Sequence, residues 1–310
     1  MKTALPTVAL LFCTLAPTWA GEQTPATATT AWRGKAPAHS RLILESTEFA
    51  GENVSRAGVQ IKLDEGWWTY WRAPGASGMP PMFDWSGSET LADEPETIWP
   101  VPLRAVEYGE SLNLYRDEVV FPIEFRAADP TKPVKLHLKM AYGVCRNMCV
   151  PSTAEHEVVV KPARAAPQLN ADNAKLIASY SGRRPSHDPF ATGLEIREVR
   201  TTIDDAKVSL VIRMRGLSLD RAALVLVEGP DFIHADEVLP RRAADPRVKT
   251  LKLKIGGKSK IRALSGKRIR ITVIDGDRAL EQVWVVGAQS SSVAGGGLTP
   301  VSRAAERPEP

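Results

Sequence analysis

The sequence predicts a mainly β protein: an antiparallel β-sandwich over residues 38–163, then a second, smaller β-sandwich-like domain over residues 189–288. Three observations predict this. Short segments alternate apolar and polar residues with the period of two that gives a strand one buried face. Clusters of Gly, Pro, Asp and Ser separate those segments at the spacing of turns. Helical periodicity is confined to one short stretch, Ala171 to Tyr180.

The chain has 310 residues, enough for two cores, with 43 % hydrophobic and 25 % charged residues. Its net charge of +4 is spread without a long basic run, so a nucleic-acid partner is not expected. Met1 to Ala20 carries Lys2, an apolar run from Ala4 to Ala16 and Thr18-Trp19-Ala20 as a cleavage site, the pattern of a cleaved secretory signal that exports the protein. Cys13 would leave with it. No later stretch approaches the length of a membrane span. Of three cysteines, Cys145 and Cys149 then remain in an oxidising compartment.

Gly21 to residue 37, rich in Thr, Ala and Pro, reads as a flexible leader. Strands are expected from Arg41, at Val59 to Leu63, and at Gly66-Trp67-Trp68-Thr69-Tyr70-Trp71-Arg72, whose aromatics supply core volume or, alternatively, a substrate platform. Pro74 to Pro81 is a turn-rich loop, Phe83-Asp84-Trp85 a short strand, and Ile98-Trp99-Pro100-Val101-Pro102 cannot be a central strand because proline lacks the ladder donor. Val119 to Phe125 returns to strand. Val134, Leu136, Leu138, Met140 and Tyr142 alternate with Lys135, His137, Lys139 and Ala141, and Glu155 to Val160 follows as another strand.

Between those last two strands lie Cys145 and Cys149, in a connection that a rigid sheet holds and solvent reaches. Fully extended, the segment would set their Cα atoms about 13 Å apart, and a disulfide needs about 4.4 to 6.8 Å. The chain must curl if the bond forms, and Gly143 and Pro151 are the residues expected at the change of direction. So small a ring removes little unfolded-state entropy, roughly 2 kcal/mol; it is a weak staple. Arg146 beside Cys145 would favour a thiolate. Three roles stay open on these residues alone: a structural disulfide, a redox-active pair, or a soft metal site for Cu(I) built from Cys145, Met148 and Cys149.

Beyond the first sandwich, residues 164–188 form a linker whose short helix is capped by Asn170 or Asp172. In the second domain Val208, Leu210, Ile212 and Met214 alternate, Ala223 to Val227 is a buried run, and Ile269 to Ile274 and Leu280 to Val286 flank the turn Asp275-Gly276-Asp277. His234, Asp236 and Glu237 read as a solvated turn in preference to a metal cluster, and residues 289–310 as a disordered tail. No acid pair, Ser/His/Asp set or phosphate-binding glycine loop stands at usable spacing. That domain is expected to pack or to dock a partner.

Taken in order, Gly66 to Arg72, the Pro-Gly loop, Phe83-Asp84-Trp85, Ile98-Trp99-Pro100, Tyr115-Arg116-Asp117-Glu118, Tyr142-Gly143-Val144-Cys145 and Cys149-Val150-Pro151 resemble the periplasmic N-terminal domain of the thiol:disulfide interchange protein DsbD family, in its copper-sensitivity-suppressor branch. The resemblance implies an immunoglobulin-like sandwich in the periplasm without a cofactor, copper being the alternative. It implies that Cys145 and Cys149 are the exchanging pair, taking reducing equivalents from a membrane-embedded thiol relay and passing them to periplasmic thioredoxin-like or disulfide isomerase proteins. It also implies a cap over the pair from Val106 to Glu110, with Glu107 where relatives place a capping Phe and the shielding passing to Tyr108. Tyr70 and Tyr142 complete the expected support. The relay and the thioredoxin-like domain of full-length DsbD have no counterpart in this sequence, so a separate membrane reductant is expected.

Overall fold

The computed structural model describes residues 28–51, 54–204, 207–217, 223–229, 241–242, 248–257, 266–285 and 299–300. Residues 1–20, expected to be a signal, and His234, Asp236 and Glu237 lie outside the described residues.

The first sandwich is immunoglobulin-like and antiparallel in all but one short edge pairing, that of Glu48–Phe49 with Lys161 and Pro162, which is parallel. Its strands are β1 (Arg33–Lys35), β2 (Ala38–Leu44), β3 (Glu48–Phe49), β4 (Ser55–Leu63), β5 (Trp68–Gly75), β6 (Met82–Asp84), β7 (Glu96–Thr97), β8 (Leu103–Glu107), β9 (Glu110–Arg116), β10 (Glu118–Phe125), β11 (Val134–Cys145) and β12 (Cys149–Pro162). One sheet runs β1-β2-β4-β10-β7; the other runs β3-β12-β11-β5-β9-β8, with β6 beside β11. Between them lie Leu42, Val59, Ile61, Trp71, Phe121, Ile123, Leu136, Leu138 and Tyr142, all buried in one cluster. The even-numbered residues of β11 from Val134 to Val144 all face this core. That parity puts the odd-numbered Gly143 and Cys145 on the outer face of the sheet.

The middle of the first sheet is buried on both sides. Helix α1 (Ala171–Ser181) covers its outer face through Ile177, which packs on Ile43 and Val120. Gly58 makes room for it: a Cβ there would lie 2.8 Å from Val120 and 3.2 Å from Ile177. Asn170 caps the helix by accepting from the Asn173 N–H, as a short polar side chain does for an orphan first-turn donor. The Asn173 amide in turn donates to the carbonyls of Ala28 and Leu44.

The leader is not free from residue 28 onward: Leu44 donates to Ala28, Thr30 donates to Leu42, and β1 pairs with β2. An open sheet edge takes any backbone that reaches it, and a Thr-, Ala- and Pro-rich composition does not reveal that pairing. Trp32 adds a side-chain reason, with the Arg41 guanidinium 4.4 Å and the Lys62 ammonium 5.4 Å from its ring centre.

After the turn α2 (Pro189–Thr192) come β13 (Glu195–Asp204), β14 (Lys207–Arg215), β15 (Leu224–Glu228), β16 (Arg241–Arg242), β17 (Val248–Gly257), β18 (Arg268–Asp275), β19 (Arg278–Val285) and β20 (Thr299–Pro300). They form two sheets, β13-β14-β17-β16 and β15-β18-β19-β20. Ile196, Leu210, Ile212 and Met214 from one sheet share a cluster with Val225, Val227, Ile271 and Trp284 from the other. The β18–β19 hairpin turns at Gly276 with φ +68°, the left-handed backbone that favours glycine. Two expectations shift here. Ser186, placed in the linker, exchanges backbone bonds with Ala279 and Glu281 of β19, and Thr299–Pro300, placed in the tail, pairs with that same strand. Leu226 of β15 is buried in the first sandwich's core cluster, so the two sandwiches meet. Among the described residues no helix is long and apolar enough to cross a membrane.

Candidate functional site

The site is the tip of the β11–β12 hairpin. Its ladder runs from Val134 opposite Val160 to a last pair, Cys145 opposite Cys149. Arg146, Asn147 and Met148 make the turn, closed by Arg146 N–H donating to the Met148 carbonyl at 3.0 Å. The two Cα atoms stand 4.1 Å apart and the sulfurs are bonded. The change of direction is therefore beyond Gly143 and Pro151, which face each other as an ordinary ladder pair. Gly143 serves a different need: its N–H donates to the Met79 carbonyl at 3.0 Å, and a Cβ there would lie 3.0 Å from Met79. The loop after β5 can approach only because that position has no side chain.

The two sulfurs do not share an environment. Cys145 is 1 % exposed, packed with Trp68, Tyr70, Leu112 and Leu114 in a small cluster on the outer face of the sheet. Cys149 is exposed. Solvent access, expected for both cysteines, holds for Cys149 alone, because the even-numbered Trp68 and Tyr70 of β5 and Leu112 and Leu114 of β9 close over Cys145.

Tyr70 is the polar member of that cluster. Its hydroxyl donates to Cys145 Sγ at 2.9 Å and lies 3.7 Å from Cys149 Sγ. Burial pushes its phenol above the ordinary value of 10, so the group holds its proton at neutral pH and acts as a donor. The ring is fixed by β5 pairing, Tyr70 opposite Leu114, and by the backbone of Gly78, where a Cβ would fall 2.4 Å from the ring.

Tyr142, expected to support the pair, does not. It is fully buried in the main core, on the face of β11 opposite Cys145, as its even-numbered place requires. Glu107 is no cap either: its carboxylate forms an ion pair with Arg116, whose guanidinium lies 5.2 Å from the centre of the Trp68 ring. Tyr108 does reach the site. It turns the β8–β9 hairpin with Gly109 at φ +52° and +82°, and its hydroxyl donates to Asn147 Oδ1 at 3.0 Å. It remains 75 % exposed, so it straps the tip from outside.

In this oxidised form Cys145, Met148 and Cys149 do not fit Cu(I). A soft cation needs thiolates, the two sulfurs are bonded to each other, and Cys145 is closed off. Met148 is 67 % exposed at the turn. Among the described residues no group of three or more His, Cys, Asp and Glu is placed to hold a metal.

The residues missed from sequence are Trp68, Leu112, Leu114 and Gly78. The signal for the first three was parity: once Tyr142 faces the core, Cys145 must face away, and a buried outward cysteine needs an apolar cover.

Fold and site together define a class, immunoglobulin-like sandwiches that carry a cysteine pair across a hairpin tip with one sulfur presented. Residues 40–161 match the family described as thiol:disulfide interchange protein DsbD, N-terminal, so the resemblance seen in the motifs holds over this domain. The crystal structure of the N-terminal periplasmic domain of ScsB from Proteus mirabilis superposes with a TM-score of 0.60 at 19 % identity, covering 82 % of this chain and 96 % of that one. At that identity the likeness is one of fold. No curated protein sequence matches the chain.

Proposed function

We propose that this protein is a periplasmic thiol:disulfide interchange protein in which Cys149 is the sulfur that meets partners and Cys145 the one that leaves and resolves. The observation that carries this is the asymmetry of the pair: an exposed Cys149 bonded to a buried Cys145 that accepts a hydrogen bond from Tyr70 at 2.9 Å. The DsbD-type domain match over residues 40–161 supports both the chemistry and the compartment.

A thiolate of a reduced dithiol donor attacks Cys149 Sγ in line with the S–S bond. The Cys145–Cys149 bond breaks, a mixed disulfide forms at Cys149, and its electron pair leaves on Cys145 as a thiolate. Tyr70 is placed to strengthen its hydrogen bond as that charge appears, since bonds to ionised acceptors are the stronger ones. The donor's second thiolate then displaces Cys149, so two electrons have entered the pair and the donor is oxidised. In the second half Cys149 attacks an acceptor disulfide, and Cys145 closes on Cys149 to release a reduced acceptor. The donor is expected to be a membrane-embedded thiol relay and the acceptor a thioredoxin-like or disulfide isomerase protein.

The test is trapping. Cys145→Ser, made in the periplasm, should accumulate a covalent, reductant-sensitive adduct on Cys149 whose partner carries a cysteine pair. A variant that stays unmodified there while its partners are present would contradict the proposal.

A further inference from the structure

Strand β5 leaves its ladder just after the tyrosine. Tyr70 pairs with Leu114, and the next pair is Gly75 with Leu112, so Trp71, Arg72, Ala73 and Pro74 stand opposite Asn113 alone. The Asn113 amide donates to the Ala73 carbonyl at 2.8 Å and holds this bulge in place. Bulges turn consecutive side chains in new directions. Trp71 enters the main core at 0 % exposure. Arg72 points instead at the second sandwich.

There it meets two carboxylates. Arg72 donates to Glu228 of β15 through Nε at 2.9 Å and Nη2 at 2.7 Å, and Nη2 also bonds Glu281 of β19. Glu281 further accepts from Thr272 at 3.0 Å and lies 3.4 Å from Arg270. Side-chain exposures are 17 % for Arg72, 16 % for Glu228 and 9 % for Glu281. The Arg72 guanidinium also lies 4.4 Å from the centre of the Trp71 ring. A planar fork matched to a carboxylate fixes direction as well as distance, and a desolvated ion cluster is a costly way to achieve mere adhesion. Leu226 already supplies an apolar seam. What the cluster adds is the geometry of the bulge, and that bulge lies between Tyr70 and the Gly78 backbone that backs its ring.

We propose that Arg72 is a positioning residue: through Glu228 and Glu281 the second sandwich holds the β5 bulge, and the bulge holds the Tyr70 hydroxyl on Cys145. The role of the second sandwich is thus to set the reactivity of a disulfide carried on the other sandwich. This rests on Tyr70 being the group that eases departure of Cys145.

The experiment is a double-mutant cycle on the full mature chain, reading the rate at which excess dithiothreitol reduces the Cys145–Cys149 bond at pH 7, with thermal unfolding measured alongside. Tyr70→Phe should be about tenfold slower than wild type, the size expected for one hydrogen bond to a developing thiolate. Arg72→Met should be at least threefold slower, and the double variant no slower than Tyr70→Phe alone. Melting temperature should fall with Arg72→Met in both backgrounds. Should Arg72→Met not fold, Glu281→Gln, which keeps shape and removes one facing charge, is read the same way. A Tyr70→Phe protein as fast as wild type overturns the tyrosine role and this inference with it. A slow Tyr70→Phe beside a wild-type-speed Arg72→Met, or rate losses that multiply in the double variant, overturns this inference alone.

Discussion

Cys145 sits under Trp68, Tyr70, Leu112 and Leu114 and takes a hydrogen bond from a phenol kept protonated by burial; Cys149, across the same bond, faces solvent beside Met148 and the Tyr108 strap. On the proposed exchange, the two ends of this disulfide have different parts. Attack needs access, and only Cys149 has it. Departure needs charge stabilisation, and the Tyr70 hydroxyl stands 2.9 Å from Cys145 Sγ against 3.7 Å from Cys149 Sγ. A bond closing so few residues contributes roughly 2 kcal/mol by chain entropy, at the low end for a disulfide.

Making the sheltered end resemble the open one is the most disruptive change. Gly78 has φ +126° and its backbone lies against the Tyr70 ring. Gly78→Ala adds both a strained backbone and a clash, so stability should fall by about 2 kcal/mol or more. Cys145 should gain reactivity toward a small alkylating agent in the reduced protein. Urea unfolding and mass-spectrometric footprinting check the two effects; unchanged stability would mean that the loop does not back the ring.

Acid should weaken the hairpin without touching either sulfur. His156 of β12 is buried against Ser40 and Thr30. Burial, aided by the positive charge of Arg33, pushes its pKa down to about 4. An unfolded histidine titrates near 6.5, so between those values the unfolded chain binds a proton that the folded one does not. Stability is therefore full above about 6.5 and declines as pH falls toward 4. Between pH 7 and pH 5 the loss from this residue is about 2 kcal/mol. Denaturant titration at both pH values, on wild type and on His156→Gln, isolates it; equal pH dependence in the two proteins would contradict the assignment.

Smallest are the effects on the open end. Tyr108→Phe removes one exposed hydrogen bond to Asn147, worth about 1 kcal/mol at most. It should raise the rate at Cys149 by less than about threefold. Met148→Ala should leave exchange unchanged, because the thioether makes no contact that the chemistry uses. A large loss with Met148→Ala would show that the turn binds something through sulfur.

Much of this was legible in advance. The alternation from Val134 to Tyr142 marked β11 and its core face, the Asn170 cap marked α1, and Asp275-Gly276-Asp277 marked the β18–β19 turn. Gly143 misled because glycine serves close backbone approach as well as turning, and only the position of Met79 tells the two apart. Residues 28–35 were hidden because edge pairing uses backbone groups that composition does not describe. Tyr142 and Cys145 were assigned to one site though their parity separates them. Arg72 carried no local signal at all, since its partners Glu228 and Glu281 lie far along the chain.

The most direct measurement compares two single-cysteine proteins, Cys145→Ser and Cys149→Ser, reacting with a small aromatic disulfide at pH 7 under native conditions. The Cys145→Ser protein, which keeps the exposed Cys149, should form its mixed disulfide at least tenfold faster. Equal rates, or a faster reaction at Cys145, would contradict the division of labour between the two sulfurs.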